Sequence, residues 1–136
     1  MTALSPVVAL RKAMRDALLA DASLLSALGA ARVYDIAPPQ AQAPWIAFGD
    51  TRLRDWSSAS GRGVEILAQI DVVSTQPGQR EALELAELVT RRLDDAALPL
   101  AGWRLVRLAF VGADARRSDQ NRFARVALRF RALIEA

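Results

Sequence analysis

Residues 63–97 have the sequence GVEILAQIDVVSTQPGQREALELAELVTRRLDDAA. This stretch predicts one long strand, a short turn and one long helix. In the first part, every even position from 64 to 72 is apolar, whereas Glu65, Gln69 and Asp71 occupy odd positions. Alternation with a period of two is typical of a half-buried strand. We therefore predict a strand over residues 63–73 with one face committed to the core.

The second part of this stretch has the periodicity of a helix. Its apolar residues recur at helical spacing and form one stripe, Ala82, Leu85, Ala86, Val89 and Leu93. Ser74 and Thr75 offer hydroxyl groups that can cap a helix start, and Pro77 fits a first turn. We therefore predict a helix over residues 77–95. Glu87 precedes Arg91 by four residues, a spacing that favours an ion pair.

The flanking segments add further helices and strands. Ser5 followed by Pro6 is a helix-start signal, and Asp21 and Gly29 are suited to begin and end a second, shorter helix. The proline-rich segment 37–44 predicts an extended surface loop, because proline interrupts helices and central strands. Further elements are predicted as helices at 5–20 and 22–28, strands at 32–35, 45–53, 102–111 and 122–134, a polar loop at 55–63, and a polar hairpin or loop at 112–121.

Length and composition predict one domain. A chain of 136 residues is long enough to bury a single core. The fold class that follows is α+β, with a mixed, mainly antiparallel sheet of about four to five strands and two to three helices packed on one face. No apolar run reaches the roughly 20 residues that span a bilayer, and the N-terminus lacks a secretory pattern. We therefore expect no membrane partner and folding in the cytoplasm.

The residue types argue against catalysis. The chain contains no histidine and no cysteine, which removes the commonest general base and the commonest metal ligands. The serines at 57, 58 and 60 lack the G-x-S-x-G frame of a nucleophile elbow. A carboxylate-based hydrolase would need four acids to converge, which their spacing does not require: Asp50, Asp55, Glu65 and Asp71. We expect no enzyme activity, no metal and no cofactor.

Basic residues concentrate near the C-terminus. Residues 1–101 hold ten Lys and Arg against twelve Asp and Glu, whereas residues 102–136 hold eight Arg against three acids. In the last predicted strand Arg125, Arg129 and Arg131 occupy odd positions and so share one sheet face. Three interpretations stay open: a solvated charged face, an arginine-rich coding bias, or a binding surface.

The order of short sequence cues carries a family resemblance over nearly the whole chain. The cues are Leu28-Gly29 before Arg32-Val33-Tyr34, then Ala43-Pro44-Trp45-Ile46, Ile70-Asp71-Val72-Val73, the 79–93 helix and Leu100-Ala101-Gly102-Trp103. In this order they resemble the tail-completion, or tail terminator, proteins of long-tailed phages and gene transfer agents.

The resemblance implies a structural protein of a virion or phage-like particle. Such a protein is expected to form a hexameric ring that stops tail-tube polymerisation and connects the tail to the neck. Its implied partners are further copies of itself, the major tail tube protein, the neck or stopper protein, and DNA passing through the ring. Its implied place is the tail–neck junction, after assembly in the bacterial cytoplasm.

Ring formation needs head-to-tail surfaces, for which the resemblance suggests two sets of candidates. Subunit-interface or channel candidates are Arg104, Arg107, Arg116, Arg117, Arg122, Arg125, Arg129 and Arg131. Candidates for tube or neck contacts are Pro38, Pro39, Trp45 and Trp56, although a loop tryptophan often packs on its own domain. Subunit contacts are favoured over DNA for most of the arginines, because a channel that lets DNA slide should not hold its phosphates tightly.

A second function remains open, a small nucleic-acid-binding module that uses the basic C-terminal sheet. Base stacking requires exposed aromatic side chains. This region offers only Trp103, Phe110, Phe123 and Phe130, and most of them are needed for the core.

Overall fold

The structure is a computed structural model that describes residues 5–117 and 122–136. Within these residues, three helices and a five-stranded sheet form one α+β unit, which confirms the predicted class. The elements are α1 (Pro6–Leu19), α2 (Ala22–Leu28), β1 (Val33–Tyr34), β2 (Trp45–Asp55), β3 (Gly63–Ser74), α3 (Arg80–Leu93), β4 (Arg104–Arg117) and β5 (Ala124–Glu135). The strand order is β1-β2-β3-β5-β4; β1 runs parallel to β2, and the other neighbours are antiparallel.

The core lies between the helices and one side of the sheet. The even-numbered residues of β3 from Val64 to Val72 are buried, as the alternation predicts. The even-numbered residues of β5 face the same side, and Phe130 is fully buried among them. The predicted stripe of α3, from Ala82 to Leu93, packs on this surface.

The first two helices begin and end where the sequence indicates. The Ser5 hydroxyl accepts a hydrogen bond from the Val7 N–H, and the Asp21 carboxylate accepts one from the Leu24 N–H. Gly29 adopts a left-handed conformation, with φ of 86°, at the end of α2. These contacts satisfy backbone groups that a helix end leaves without partners.

The start of α3 differs from the prediction. The helix begins at Arg80 rather than near 77, and its N-cap, Gln79, makes no side-chain capping bond. Ser74 instead belongs to β3, where its buried hydroxyl donates to Glu81 Oε1 over 2.7 Å and accepts from the Gln76 N–H. The Ser74 hydroxyl therefore connects β3 to α3 through hydrogen bonds, and it is not the N-cap of the helix.

Strand β4 is longer than its sequence predicts. Residues 112–117, predicted as part of a polar hairpin or loop, pair with β5 as far as Arg117 opposite Ala124, as the arm of a hairpin would. The predicted strand end at 111 was wrong because β4 is an edge strand that is exposed on both faces over this segment, so alternation is absent. The remainder of the predicted loop, at 118–121, lies outside the described residues.

Candidate assembly surface

The sheet has one side that the helices do not cover, and we call it the open face. Its charged residues are brought together from four strands: Arg52, Arg54, Glu65, Asp71, Arg104, Arg107, Asp114, Arg116, Arg125, Arg129, Arg131 and Glu135. Asp50, in the irregular part of β2, lines the same surface beside Arg52 and Arg129. Within the described part of the chain, this face therefore carries eight arginines against five carboxylates. It is a basic surface, and the predicted row of Arg125, Arg129 and Arg131 lies exposed along its β5 strand.

Several of these arginines are neutralised within the chain. Arg131 Nε lies 2.7 Å from Glu65 Oε2, and Arg129 Nη1 lies 2.6 Å from Asp114 Oδ2. Arg104, at the start of β4, forms an ion pair with Glu135. The pairs of Arg129 and Arg104, in which both side chains are substantially exposed, contribute roughly 0–1 kcal/mol each. Their larger effect is to remove free positive charge from the middle and one end of the open face.

Arg125 and Arg116 remain without an ion pair among the described residues. They lie directly opposite each other on β5 and β4, and both are exposed. Like charges directly opposite across a strand pair destabilise a sheet. This corner of the open face therefore combines concentrated positive charge with a small cost to the protomer's stability.

Asp114 is the acid nearest to this corner. The hydrogen bond from Arg129 lowers the pKa of Asp114 below its ordinary value, and the charge of Arg116 adds a smaller effect in the same direction. The carboxylate therefore stays ionised near neutral pH, although it is already engaged by Arg129.

The remaining predicted arginines are dispersed. Arg107 is exposed on the open face, whereas Arg117 pairs with buried Ala124 and so lies on the side of the helices. Arg122 is exposed just before β5. Sequence reasoning missed Arg52 and Arg54 as members of this surface. Arg54 lies beyond the predicted end of β2, and the face of Arg52 depends on the register shift between Phe48 and Thr51. Their spacing of two residues was the signal that could have identified them.

The predicted tube or neck contacts lie at opposite ends of the sheet. Trp45 begins β2 and is half-buried, with its ring 6.3 Å from that of Phe123 in an edge-to-face arrangement. Trp56 follows the other end of β2, and 39% of it is exposed. β2 has eleven residues, so the two tryptophans are separated by roughly 35 Å at about 3.3 Å per residue. Pro38 is half-buried and Pro39 exposed in the loop that leads to Trp45.

Trp56 is also partly packed on its own chain. Its backbone N–H donates to the backbone carbonyl of Gly63 over 2.9 Å. A Cβ atom at position 63 would lie 3.0 Å from Cε3 of the indole, so glycine is needed for this close approach. The packing agrees with the interpretation of Trp56 as a residue that contacts its own domain, and it leaves one part of the ring exposed.

The acids considered for hydrolysis are separated. Glu65 and Asp71 are six residues apart on β3, which places them roughly 20 Å apart. Glu65 is bound by Arg131, and Asp71 accepts a hydrogen bond from Gln69. Among the residues that the structure describes, no group of three or more acids is arranged to hold a metal ion. No described helix is long and apolar enough to cross a membrane.

Two comparisons with known proteins, one with a family model and one with a solved structure, identify the class of protein. Together they place the chain among structural tail proteins of phage-like particles. The chain belongs to the family described as tail completion protein gp17, whose model matches residues 12–135. The resemblance seen in the sequence is thereby confirmed.

A solved structure gives a second comparison. A chain in the structure titled "Virion of native gene transfer agent (GTA) particle" is 34% identical, with a TM-score of 0.89. The match covers 96% of this chain and 97% of that chain, so the two have the same fold from end to end. No curated protein matches the chain.

Proposed function

We propose that this protein is a tail terminator: a hexameric ring that stops polymerisation of the tail tube and joins the tube to the neck. One observation carries the proposal, the end-to-end match to a chain of a gene transfer agent virion at 34% identity. Membership of a tail completion family supports the same role. The protein then acts in the particle by shape and contact, without catalysing a reaction.

The basic open face suits contacts between copies in such a ring. A closed ring of identical subunits uses a head-to-tail contact in which two different surfaces meet. Within the described residues Arg125 and Arg116 form no ion pair, and the nearest acid, Asp114, is already engaged by Arg129. An acidic surface of a neighbouring subunit would therefore relieve the repulsion between the two arginines. Arginine is suited to this use because its planar group binds a carboxylate through two hydrogen bonds.

The two ends of the sheet suit the two other partners. A terminator must present one surface to the tail tube and another to the neck. Trp45, with the loop that holds Pro38 and Pro39, lies at one end of β2, and Trp56 lies at the other. The exposed Pro39 and the half-buried Pro38 and Trp45 at one end, and the exposed part of Trp56 at the other, would let each end bind a different protein while DNA passes through the ring.

The length of the tails tests this proposal. Particles produced without the protein should carry tails of unregulated, excessive length that fail to join heads, and the wild-type gene supplied in trans should restore both properties. Electron microscopy of negatively stained particles measures the length distribution. Tails of normal length, joined to heads, in the absence of the protein would contradict the proposal.

A nucleic-acid-binding module remains the second candidate, and the basic open face is the observation that favours it. The two functions differ in how the purified protein responds to salt. Binding through phosphates would weaken steeply as salt rises, roughly in proportion to the number of phosphates neutralised. A stable monomer with such a salt dependence would favour this second function.

A further inference from the structure

Both outer edges of the sheet are only partly covered. At the β4 edge, Asp94 Oδ1 accepts a hydrogen bond from the Phe110 N–H, and the Asp95 N–H donates to the Leu108 carbonyl. At the β2 edge, β1 pairs only with Ile46 and Ala47. Among the described residues, 111–116 of β4 and 51–55 of β2 are therefore the uncovered parts of the two edges.

The backbone groups that point outward can be identified on each strand. Successive residues of a strand alternate between the two neighbouring sides. Because Phe110 points outward and the ladder shifts by one residue between Phe110 and Gly112, Ala113 and Ala115 point outward as well. On β2, the Trp56 N–H points inward to Gly63, so Leu53 points outward.

These outward groups have no partner among the described residues. No hydrogen bond reaches the backbone of Leu53, Ala113 or Ala115 from outside the sheet. Unpaired strand edges of this length are sites where another strand can add. The side chains do not obstruct such pairing, since Ala113 and Ala115 are small and exposed.

We propose that the uncovered β4 edge of one copy pairs antiparallel with the uncovered β2 edge of the next copy, so that residues 111–115 meet residues 51–55. The occupant is a second copy because the chain carries both halves of the contact at opposite edges. Within one sheet β2 and β4 run antiparallel, so two copies in the same orientation bring them together in the antiparallel sense.

Charge selects the register of this pairing. With Ala113 opposite Leu53, Asp114 lies opposite Arg52 on the open face, and Arg116 lies beside Asp50 of the neighbouring copy. Sliding the pairing by two residues, so that Ala115 faces Leu53, would instead bring Arg116 opposite Arg52. Opposite charges across strands stabilise a sheet and like charges destabilise it, so the first register is favoured.

On the side of the helices, the contact has one large apolar side chain. Leu53 is 47% exposed in the protomer, whereas Thr51 and Asp55, in the same row of β2, are polar. In the proposed register, Leu53 covers the small side chain of Ala113 on the side of the helices. The pairing therefore buries apolar surface on one face and forms ion pairs on the other.

The geometry of a ring is compatible with this register. In one protomer, Leu53 is level with Ile66, Ala132 and Leu108 across the sheet. Pairing with Ala113 shifts the next copy by roughly 13 Å along the strands. A closed arrangement accommodates such a stagger by tilting its strands relative to the ring axis. The inference rests on the proposed ring and adds the contact that closes it.

Cysteine cross-linking tests the pairing, since the chain has no cysteine of its own. The double variant Leu53→Cys with Ala113→Cys places one cysteine opposite the other in neighbouring copies. Their Cα atoms should lie about 5.5 Å apart, a distance at which a disulfide can form. Oxidation of tails or rings containing this variant should give a ladder of covalent oligomers on denaturing gels, ending at the closed ring. Reduction should return a single band.

Three controls define the result. Each single variant should give no ladder, because a head-to-tail contact brings different residues together. Leu53→Cys with Ala101→Cys, at an exposed position away from both edges, measures random collision. If the edges instead bind the tube or neck protein, particles with normal tails will contain the double variant without a ladder, which would overturn the edge pairing and leave the terminator function standing. The terminator function itself is tested separately, by the length of the tails in particles produced without the protein.

A charge exchange tests the register independently. Arg116→Asp should lower the fraction of tails with normal length about tenfold, because it places an acid opposite Asp50 of the neighbouring copy, and the two negative charges repel each other. Adding Asp50→Arg should restore that fraction to within about twofold. Arg116→Asp also places an acid opposite Arg125, so the folded protomer should not be weakened. Equal defects in the single and double variants would contradict the register.

Discussion

Arg125 shows how one exposed residue can reduce the stability of the protomer. It faces Arg116 and has no ion pair among the described residues. We expect Arg125→Gln to raise the free energy of unfolding of the protomer by about 0.2–1 kcal/mol, measured by denaturant unfolding. Arg131→Gln is the matched control and should lower it by a similar amount, since it removes the closer of the two arginines that pair with Glu65. A loss of stability in Arg125→Gln would contradict the repulsion.

Asp114 provides a prediction about pH. Because the Arg129 hydrogen bond is the main cause of its lowered pKa, Arg129→Gln should raise the pKa of Asp114 toward the ordinary value. A carboxyl with a lowered folded-state pKa stabilises the fold above its unfolded pKa, and this contribution disappears as pH falls through the folded value. Carboxyl NMR titration measures the shift. An unchanged pKa would show that the ion pair is not formed in solution.

Sequence periodicity was sufficient for the elements at the centre of the fold. β3, β5 and the stripe of α3 each have one buried face, and their alternation predicted which residues are buried. β4 was predicted too short because an edge strand exposed on both faces keeps no alternation. The pairing of arginines with particular acids was not predictable either, because it depends on the ladder shifts at 48/51, 105/107 and 110/112.

Ser74 tests the junction between strand and helix. Its buried hydroxyl bonds both Glu81 and the Gln76 N–H. Ser74→Ala should therefore lower the free energy of unfolding by about 1–2 kcal/mol, since it removes two hydrogen bonds whose remaining partners, Glu81 and the Gln76 N–H, can still reach water. Thr75→Ala, at the exposed neighbouring position, should change it by less than about 0.5 kcal/mol. Equal effects in thermal or denaturant unfolding would contradict the bridging role.

At the scale of the whole molecule, one domain combines surfaces that face in different directions. The two uncovered sheet edges lie on opposite flanks, the basic open face lies between them, and the aromatic residues Trp45 and Trp56 mark the two strand ends. This arrangement suits a subunit that binds copies of itself laterally and two different proteins above and below. Sequence alone indicated the family, whereas the edges became visible only once strand order and bulges were known.

The most direct test of the ring is electron cryo-microscopy of intact particles at the junction of tail and neck. The account predicts density for a closed hexameric ring of this chain at the end of the tail tube, with neighbouring copies joined from β4 to β2. Density for the chain at another place in the particle, or an arrangement at the junction that does not close, would contradict it.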